Sequence, residues 1–215
     1  ESVEGGEKWA RYCFLGCDPA VVVSSKGRNI TIDENGKRQG RKIDSGTPLS
    51  AIKEILARYN PVDVPDLPRF SGGAVGFISY DMVRFFEDLP ENTVDDLNLP
   101  DSQFIITDTM LVFDNISQTI KMVSNAFIES DALEEVYEQT IKKIGLLEEK
   151  LKRPLKISNQ PNKEVAQTKF ESNFEKERFK GAVDKVKQYI LEGDAIQIVL
   201  SQRLSFDIKK KAFDI

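Results

Sequence analysis

Gln197 is the first residue whose type and position suggest chemistry. It lies in "GDAIQIVLSQRLSF", residues 193–206, within a run that alternates like a β-strand. The alternation places Gln197 on a mostly polar face together with Ser201 and Arg203. A glutamine amide donates and accepts hydrogen bonds, but it takes no proton near neutral pH. From these residues alone, Gln197 is interpreted as a polar side chain on the solvent face of a strand.

Two residues at the start of the chain form a second candidate site. Glu1 and Ser2 supply a carboxylate and a hydroxyl, which suit the ammonium group of an amino acid. Lys8 and Arg11 could face the carboxylate of such a ligand. End residues are often disordered, and charged side chains are mostly exposed. The sequence alone therefore favours a frayed terminus and two solvated charges.

The sequence offers no histidine and only weak candidates for a metal site. The chain has no histidine, which excludes a histidine base, a Ser-His pair and a histidine-ligated zinc within it. Cys13 and Cys17 share one face of an expected strand, which favours two free thiols packed in or near the core. Asp95 and Asp96 could bind a hard cation, but a solvated acidic loop is the preferred interpretation. We expect no metal site in this chain.

The glycines of "SGGAVG" could suggest a phosphate-binding loop. The stretch lacks both the lysine of a P-loop and the spacing of a dinucleotide-binding fingerprint. Close backbone approach in a tightly packed strand explains Gly72, Gly73 and Gly76 better. We therefore expect a buried strand over residues 74–80, followed by a short helical segment.

Composition limits the class of protein. Hydrophobic residues make up 40% of the chain, charged residues 30%, and the net charge is −5, all ordinary for a soluble globular protein. No strong basic stripe is evident, which argues against nucleic acid as a partner. No apolar run reaches the roughly 20 residues of a membrane span, and no signal peptide pattern is present. Two cysteines without a disulfide framework indicate a cytoplasmic protein.

The strands and helices expected from the sequence indicate an α+β fold of mixed or antiparallel sheets with packed helices. Asn35-Gly36 predicts a tight hairpin, because both positions tolerate positive φ. A second hairpin is expected around residues 115–118. Helical spacing of apolar residues predicts helices in "PLSAIKEILARY" and over residues 131–152. The early apolar runs, residues 11–16 and 20–25, are expected to be strands.

The end of the chain predicts a second domain. We expect a domain over residues 1–153, a surface linker over 154–171 and the start of another domain over 172–215. Ser172 and Glu175 form a possible capping box for a helix that Gly193 ends. A strand of about 12 residues should follow, belonging to a large sheet.

Three segments, taken in order, carry a resemblance to a known family: "ESVEGGEKWARYCFLG", "LPRFSGGAVGFISYDMVR" and "GDAIQIVLSQRLSF". Together they resemble the large subunit of anthranilate synthase, a chorismate-using enzyme. The first is similar to the family's opening, where two leucines normally precede the Glu-Ser pair, and the second is similar to another family block. The third is similar to the block that opens the catalytic domain. The resemblance covers essentially the whole chain.

The resemblance implies an activity and a set of partners. The family converts chorismate and ammonia to anthranilate and pyruvate with Mg²⁺, and L-tryptophan inhibits it. A glutamine amidotransferase small subunit supplies the ammonia. The family's large subunit is longer than this chain, so we expect an N-terminal regulatory portion plus the start of a catalytic portion. The chorismate and magnesium ligands would then lie mostly beyond residue 215, and the chain alone would be inactive.

The resemblance also gives the candidate residues roles. Glu1 and Ser2 correspond to the Glu-Ser pair of the tryptophan site. Gln197 would line the chorismate pocket, at a place where isochorismate and salicylate synthases carry a lysine that acts as base toward water. Because glutamine cannot take that proton, Gln197 fits ammonia as the nucleophile. Two alternatives stay open: aminodeoxychorismate synthase, and a non-catalytic module that binds amino acids or another protein.

Overall fold

In the computed structural model, residues 11–128, 131–154 and 169–208 are described. The chain forms two compact units, Glu1–Pro154 and Leu155–Ile215. Every strand pairing within these described ranges is antiparallel, and helices accompany the sheets. The predicted α+β class is therefore confirmed. Of the predicted linker, residues 155–168 lie outside the described residues.

The first unit holds a five-stranded and a three-stranded sheet. The five-stranded sheet has the order β4-β3-β2-β6-β5, and the three-stranded sheet has the order β1-β7-β8. The strand bounds are β1 Tyr12–Gly16, β2 Val21–Lys26, β3 Asn29–Glu34, β4 Lys37–Lys42, β5 Ala74–Ile78, β6 Ser102–Ile106, β7 Thr109–Asp114 and β8 Thr119–Ser124.

Both predicted hairpins are confirmed. Asn35 and Gly36 have φ of 52° and 79°, and Glu34 pairs with Lys37, so the turn between β3 and β4 has two residues. Positive φ at both positions matches the twist of the flanking strands. Asp114 pairs with Thr119, which closes a turn over residues 115–118 between β7 and β8.

One helix and one sheet face build the larger core. Helix α1, Leu49–Leu56, buries Ala51 and Ile55. These two side chains cluster with buried apolar residues of the five-stranded sheet, namely Val21, Val23, Ile30 and Ile106. Alternation along β2 explains which of its side chains are buried. Val21, Val23 and Ser25 are buried, while the residues between them are half-buried.

The stretch "FIITDTMLVFDN" changes sheet in its middle. Its apolar pattern predicts one strand of the hairpin around residues 115–118, but β6 ends at Ile106 and β7 begins at Thr109. The two strands belong to different sheets, so a single apolar run supplies both cores. Met110, Val112 and Val123 form the core of the three-stranded sheet. Helix α2, Leu133–Lys152, is confirmed close to its predicted bounds and contacts β8.

The predicted buried strand over residues 74–80 is shorter and more exposed than expected. Strand β5 covers Ala74–Ile78, and a short 3₁₀-helix, Tyr80–Phe85, follows it. Val75 and Ile78 are each 53% exposed, because β5 is an edge strand of the sheet. The expectation of a buried strand was wrong, since apolar composition alone does not show whether an element covers a strand's faces.

Residues 169–208, the described part of the second unit, contain one helix and a minimal strand pair. Helix α3 is Lys176–Glu192, and β9, Glu171–Ser172, pairs with β10, Leu204–Ser205. The predicted capping box is wrong: Ser172 lies in β9, and its hydroxyl bonds the backbone of Phe174. Gly193 ends α3 as expected, with φ 85° and its N–H donated to the Ile190 carbonyl.

The long strand predicted over residues 195–206 is not formed among the described residues. Only Leu204 and Ser205 pair with another strand. Ile196 is 98% exposed and Val199 81% exposed. A strand requires a neighbour to take its backbone hydrogen bonds, and alternation in sequence cannot supply that neighbour.

Candidate functional site

Gln197 is exposed and lies in an irregular segment, residues 194–203. The chain on its C-terminal side is tied to the start of α3. Asn173 accepts a hydrogen bond from the Arg203 N–H through its side-chain oxygen, at 2.8 Å, and donates its own N–H to the Arg203 carbonyl at 3.1 Å. This anchor fixes where the Gln197 segment ends, while the exposed amide of Gln197 points to no partner that the structure describes.

A cavity of about 800 Å³ opens where α3 begins. Its lining combines the rings of Phe174 and Phe179, which meet edge to face at 5.5 Å between ring centroids, with cationic and amide groups. Lys176, Lys180 and Gln202 belong to that lining, and Gln197 does not. By the alternation of the expected strand, Gln202 would lie on its apolar face, opposite Gln197. The structure thus brings a different glutamine to the cavity than the one predicted to line a pocket.

Most of the predicted amino-acid site lies outside the residues that the structure describes. Glu1, Ser2 and Lys8 lie outside the described residues, so their prediction stays untested. Arg11 is the first residue described, and it ion-pairs with Asp114. Its Nη2 lies 2.8 Å from Oδ2 and its Nε 3.1 Å from Oδ1. The expectation that Arg11 is a solvated charge was wrong, because the fold places a carboxylate of the protein itself against it.

Asp114 is the site residue that the sequence analysis missed. It is 3% exposed and closes the turn after β7, where its Oδ1 accepts the N–H groups of Ile116 and Ser117. The Arg11 guanidinium and these N–H donors hold the pKa of the Asp114 carboxyl well below its usual range. The signal in the sequence was an aspartate immediately before a turn, a position that such side chains often stabilise.

A second ionic cluster occupies the predicted acidic loop. Lys26 of β2 lies 2.5 Å from an Asp95 oxygen and 3.4 Å from one of Asp101, and it donates to the Leu99 carbonyl. The hydrogen bond between Lys26 and Asp95 raises the pKa of the lysine and lowers that of the carboxyl. Asp95 thus has a protein cation as partner, and the cluster ties the loop before β6 to β2.

The remaining predicted ligands do not converge. Cys13 is half-buried and its sulfur accepts a hydrogen bond from the Asn115 amide at 3.6 Å, whereas Cys17 is exposed. Placing Cys17 in or near the core was wrong, because β1 ends at Gly16. Among residues 11–128, 131–154 and 169–208, no group of three or more acidic, cysteine or histidine side chains is placed to hold a metal ion. In the same part of the chain, no helix has the length and apolar character needed to cross a membrane.

The glycine stretch acts in packing. A Cβ placed on Gly76 would lie 1.9 Å from the Gln103 carbonyl oxygen, so this position accepts no side chain. Close approach of β5 to β6 is therefore confirmed at Gly76. Near this strand, an apolar cavity of about 520 Å³ opens between α1 and the sheet, lined by Ile52, Leu56, Ile78 and Phe104 among others. These apolar side chains offer contact area, and Lys53 adds a charged group to the lining.

Comparison with known proteins places the chain in a family. It belongs to the chorismate binding enzyme family, whose model matches residues 3–215. The class of protein defined by the fold and sequence is therefore a chorismate-binding enzyme. The match takes in nearly the whole chain, including the described parts of both units.

Individual relatives share a more specific name. Anthranilate synthase component 1 of Acetivibrio thermocellus is 38% identical over 221 residues, covering 100% of this chain and 44% of the relative. The Pseudomonas aeruginosa protein of the same name is 36% identical with the same coverage. The crystal structure of anthranilate synthase component I from Streptococcus pneumoniae matches with a TM-score of 0.69 and 26% identity, over 99% of this chain and 47% of that one. The chain thus spans less than half the length of these relatives.

Proposed function

We propose that this chain belongs to an anthranilate synthase that converts chorismate and ammonia to anthranilate and pyruvate. The observation that supports this most is the match of the whole chain, at 38% identity, to a relative named anthranilate synthase component 1. The family itself already implies a chorismate-using enzyme. Because the chain spans 44% of that relative, the reaction would need residues that correspond to the rest of the relative.

Gln197 would act in this enzyme as a pocket-lining hydrogen-bonding group. Its amide can orient a substrate oxygen or an ammonia molecule, and it cannot remove a proton from water. Ammonia carries its own lone pair, so an enzyme that adds ammonia needs no base at this position. The exposed position of Gln197 leaves its side chain available to further elements of a longer protein.

The metal and the protein partner also belong to the proposal. Mg²⁺ in such an enzyme would act as a Lewis acid and neutralise substrate carboxylates. The described residues offer no group of ligands for it, so we assign no step of the reaction to the metal here. Ammonia would come from a glutamine amidotransferase small subunit. L-tryptophan would inhibit the enzyme by binding at Glu1 and Ser2.

Anthranilate fluorescence tests the activity. Both the 215-residue chain and the full product of its reading frame should be incubated with chorismate, Mg²⁺ and ammonium. We expect anthranilate from the full product only, since the chain's described residues lack a metal-ligand group. Turnover by the chain alone would contradict its predicted inactivity. Aminodeoxychorismate in place of anthranilate would contradict the proposed reaction.

A substitution in the full product tests the role of Gln197. We expect Gln197→Lys to lower ammonia-dependent anthranilate formation by about tenfold or more, equivalent to roughly 1.4 kcal/mol of transition-state stabilisation. Gln188→Lys, at an exposed position of α3, is the matched control and should leave the rate unchanged. An unchanged rate in Gln197→Lys would make Gln197 an ordinary surface residue.

Inhibition by tryptophan tests the second site. Ser2→Phe should relieve inhibition while sparing the reaction, because the ring would fill the pocket and the hydroxyl would be lost. Ser45→Phe, at an exposed bend, is the control and should stay inhibited. Inhibition of Ser2→Phe at the wild-type tryptophan concentration would exclude Ser2 from the inhibitor site.

A further inference from the structure

Strand β4 is an edge strand of unusual charge. It spans Lys37–Lys42, "KRQGRK", at one end of the five-stranded sheet, and every one of its residues is exposed. Four of its six residues are cationic, although the chain as a whole carries a net charge of −5. The overall composition therefore conceals a short, strongly basic surface on a sheet edge.

The backbone of β4 offers open hydrogen-bonding groups at alternate residues. In an antiparallel ladder, pairs that exchange two hydrogen bonds alternate with pairs that exchange none. The Ile43 N–H bonds the Arg28 carbonyl, and the two-residue turn closes on Glu34 and Lys37. Residues 37, 39 and 41 therefore bond inward to β3. The N–H and C=O groups of Arg38, Gly40 and Lys42 point outward, away from the sheet.

The side chains of β4 leave much of its positive charge uncompensated. Arg41 lies 2.6 Å from Glu54 of α1, so its side chain is on the sheet face that α1 covers. Arg38 and Lys42 alternate to the opposite face. Within the described residues, no ion pair engages Lys37, Arg38 or Lys42. The outward backbone groups are thus flanked by cations on both faces.

This charge pattern selects among possible occupants of the edge. A second copy of β4 pairing edge to edge would bring like charges directly opposite each other, which is destabilising. Lysine on an edge strand suppresses that kind of self-association. An apolar strand would match the backbone groups and leave the charges uncompensated. An extended segment rich in glutamate or aspartate satisfies both the backbone and the side chains.

We propose that β4 is a docking edge for an acidic, extended segment of a partner protein, which adds to the sheet as a further strand. The outward N–H and C=O groups of Arg38, Gly40 and Lys42 supply the backbone bonds. Lys37, Arg38 and Lys42 select acidic side chains. Strand addition of this kind draws affinity from main-chain bonds and specificity from alternate side chains.

Peptide binding tests the proposal on the intact chain. The probe is a labelled, capped peptide of about eight residues in which glutamate alternates with valine, long enough to match a typical strand. Fluorescence anisotropy should detect binding that weakens as salt is raised, because exposed charges are screened. The double variant R38E/K42E should bind the peptide at least about tenfold more weakly, because disrupting close charge pairs across an interface commonly costs that much affinity. K142E/R153E reverses two other exposed cations and should bind as the wild type does.

A second pair of variants separates strand addition from simple charge attraction. Gly40→Pro removes one outward N–H, and proline is tolerated on an edge where the N–H faces solvent. Gly40→Ala keeps that N–H, and its Cβ would come no closer than 4.0 Å to the Ile30 carbonyl oxygen. We expect the Gly40→Pro variant, but not Gly40→Ala, to bind the peptide more weakly. In the wild-type complex, amide exchange at Gly40 and Lys42 should slow.

Four outcomes would overturn the proposal. Absence of peptide binding would mean that the charges serve only to keep the edge unpaired. Equal binding by Gly40→Pro and Gly40→Ala, without amide protection, would mean general charge attraction. Tighter binding of polyuridylate than of the peptide would make the surface a nucleic-acid contact. Self-association through β4, shown by sedimentation and abolished in R38E/K42E, would make a second copy the occupant.

Discussion

The unit Glu1–Pro154 holds two clusters of buried side chains, whereas no residue among 169–208 of the unit Leu155–Ile215 is buried. Among residues 11–128 of the first unit, eight strands pair in two sheets and a helix covers one core. The second has a helix and two strands of two residues each. A short stretch of chain buries too little apolar surface to offset the conformational entropy lost on folding.

The difference teaches where the information for structure lies in each region. Strands β2 and β6 each have two neighbours, so their apolar alternation is used to build a core. The alternating run from Ala195 to Arg203 pairs with no strand among the described residues, and its Ile196 and Val199 stay exposed. Substitutions should therefore have large effects in the first unit and small ones in the second.

The largest contrast is expected for one isoleucine of each unit. Ile30 is 1% exposed and Ile196 is 98% exposed. Ile30→Ala should lower the free energy of unfolding by about 2–5 kcal/mol, because it leaves a cavity in the core. Ile196→Ala should change it by less than about 0.5 kcal/mol. Urea denaturation followed by circular dichroism measures both. Similar losses in the two variants would mean that Ile196 is packed in solution.

A glycine in the first sheet should respond nearly as strongly. The Cβ of Gly76→Ala would lie 1.9 Å from the Gln103 oxygen and 2.7 Å from the Phe104 Cα, so the backbone must shift. We expect a loss of about 3 kcal/mol, at the upper end of overpacking effects. Gly181→Ala in α3 meets nothing within 4 Å and should add about 0.5–1 kcal/mol of helix stability. A harmless Gly76→Ala would show that β5 and β6 are not so closely paired.

Inside the second unit, the sign of a glycine substitution should depend on its backbone angle. Gly193 follows α3 with φ 85°, while Gly181 lies within the helix. Gly193→Ala should destabilise the end of the helix by about 1 kcal/mol, because a Cβ is strained in the left-handed region. Amide exchange of residues 188–192 should quicken in Gly193→Ala and slow in Gly181→Ala. Equal exchange in both variants would argue against the C-terminal cap.

The smallest expected effect is a change in acid sensitivity at Asp114. The folded state lowers its pKa through Arg11, so this carboxylate stabilises the fold above its unfolded pKa of about 3.9 and loses that contribution as the pH falls. Asp114→Asn should therefore flatten the rise of stability between about pH 2 and pH 5. Asp184→Asn, which alters an exposed and long ion pair of the second unit, should keep the wild-type slope. Parallel profiles for all three proteins would exclude Asp114 as the titrating group.

Sequence reasoning predicted well the features that depend on neighbouring residues. The two-residue turn at Asn35-Gly36, the turn after Asp114, the glycine that ends α3 and the long helix α2 all follow from local conformational preference or periodicity. It failed where a distant partner decides. The exposure of β5, the division of one apolar run between two sheets and the ion pair of Arg11 depend on contacts far away in the chain.

The candidate site divides in the same way. The types of Glu1, Ser2 and Gln197 indicate what chemistry they can perform, because hydrogen-bonding and proton-transfer capacity belong to the side chain itself. The sequence by itself also determined the family, through its resemblance over the whole chain. It could not show that Arg11 meets Asp114, because 103 positions along the chain separate the two.

Only the tertiary structure decided which strands have neighbours. The four basic residues within 37–42 do not stand out in the overall composition. They form a distinct surface because β4 lies at the end of a sheet. Residues 195–203 alternate as a strand does, and they stay irregular because no strand among the described residues pairs with them. Local preference acts over a few residues, whereas strand pairing and burial depend on groups brought together from across the chain.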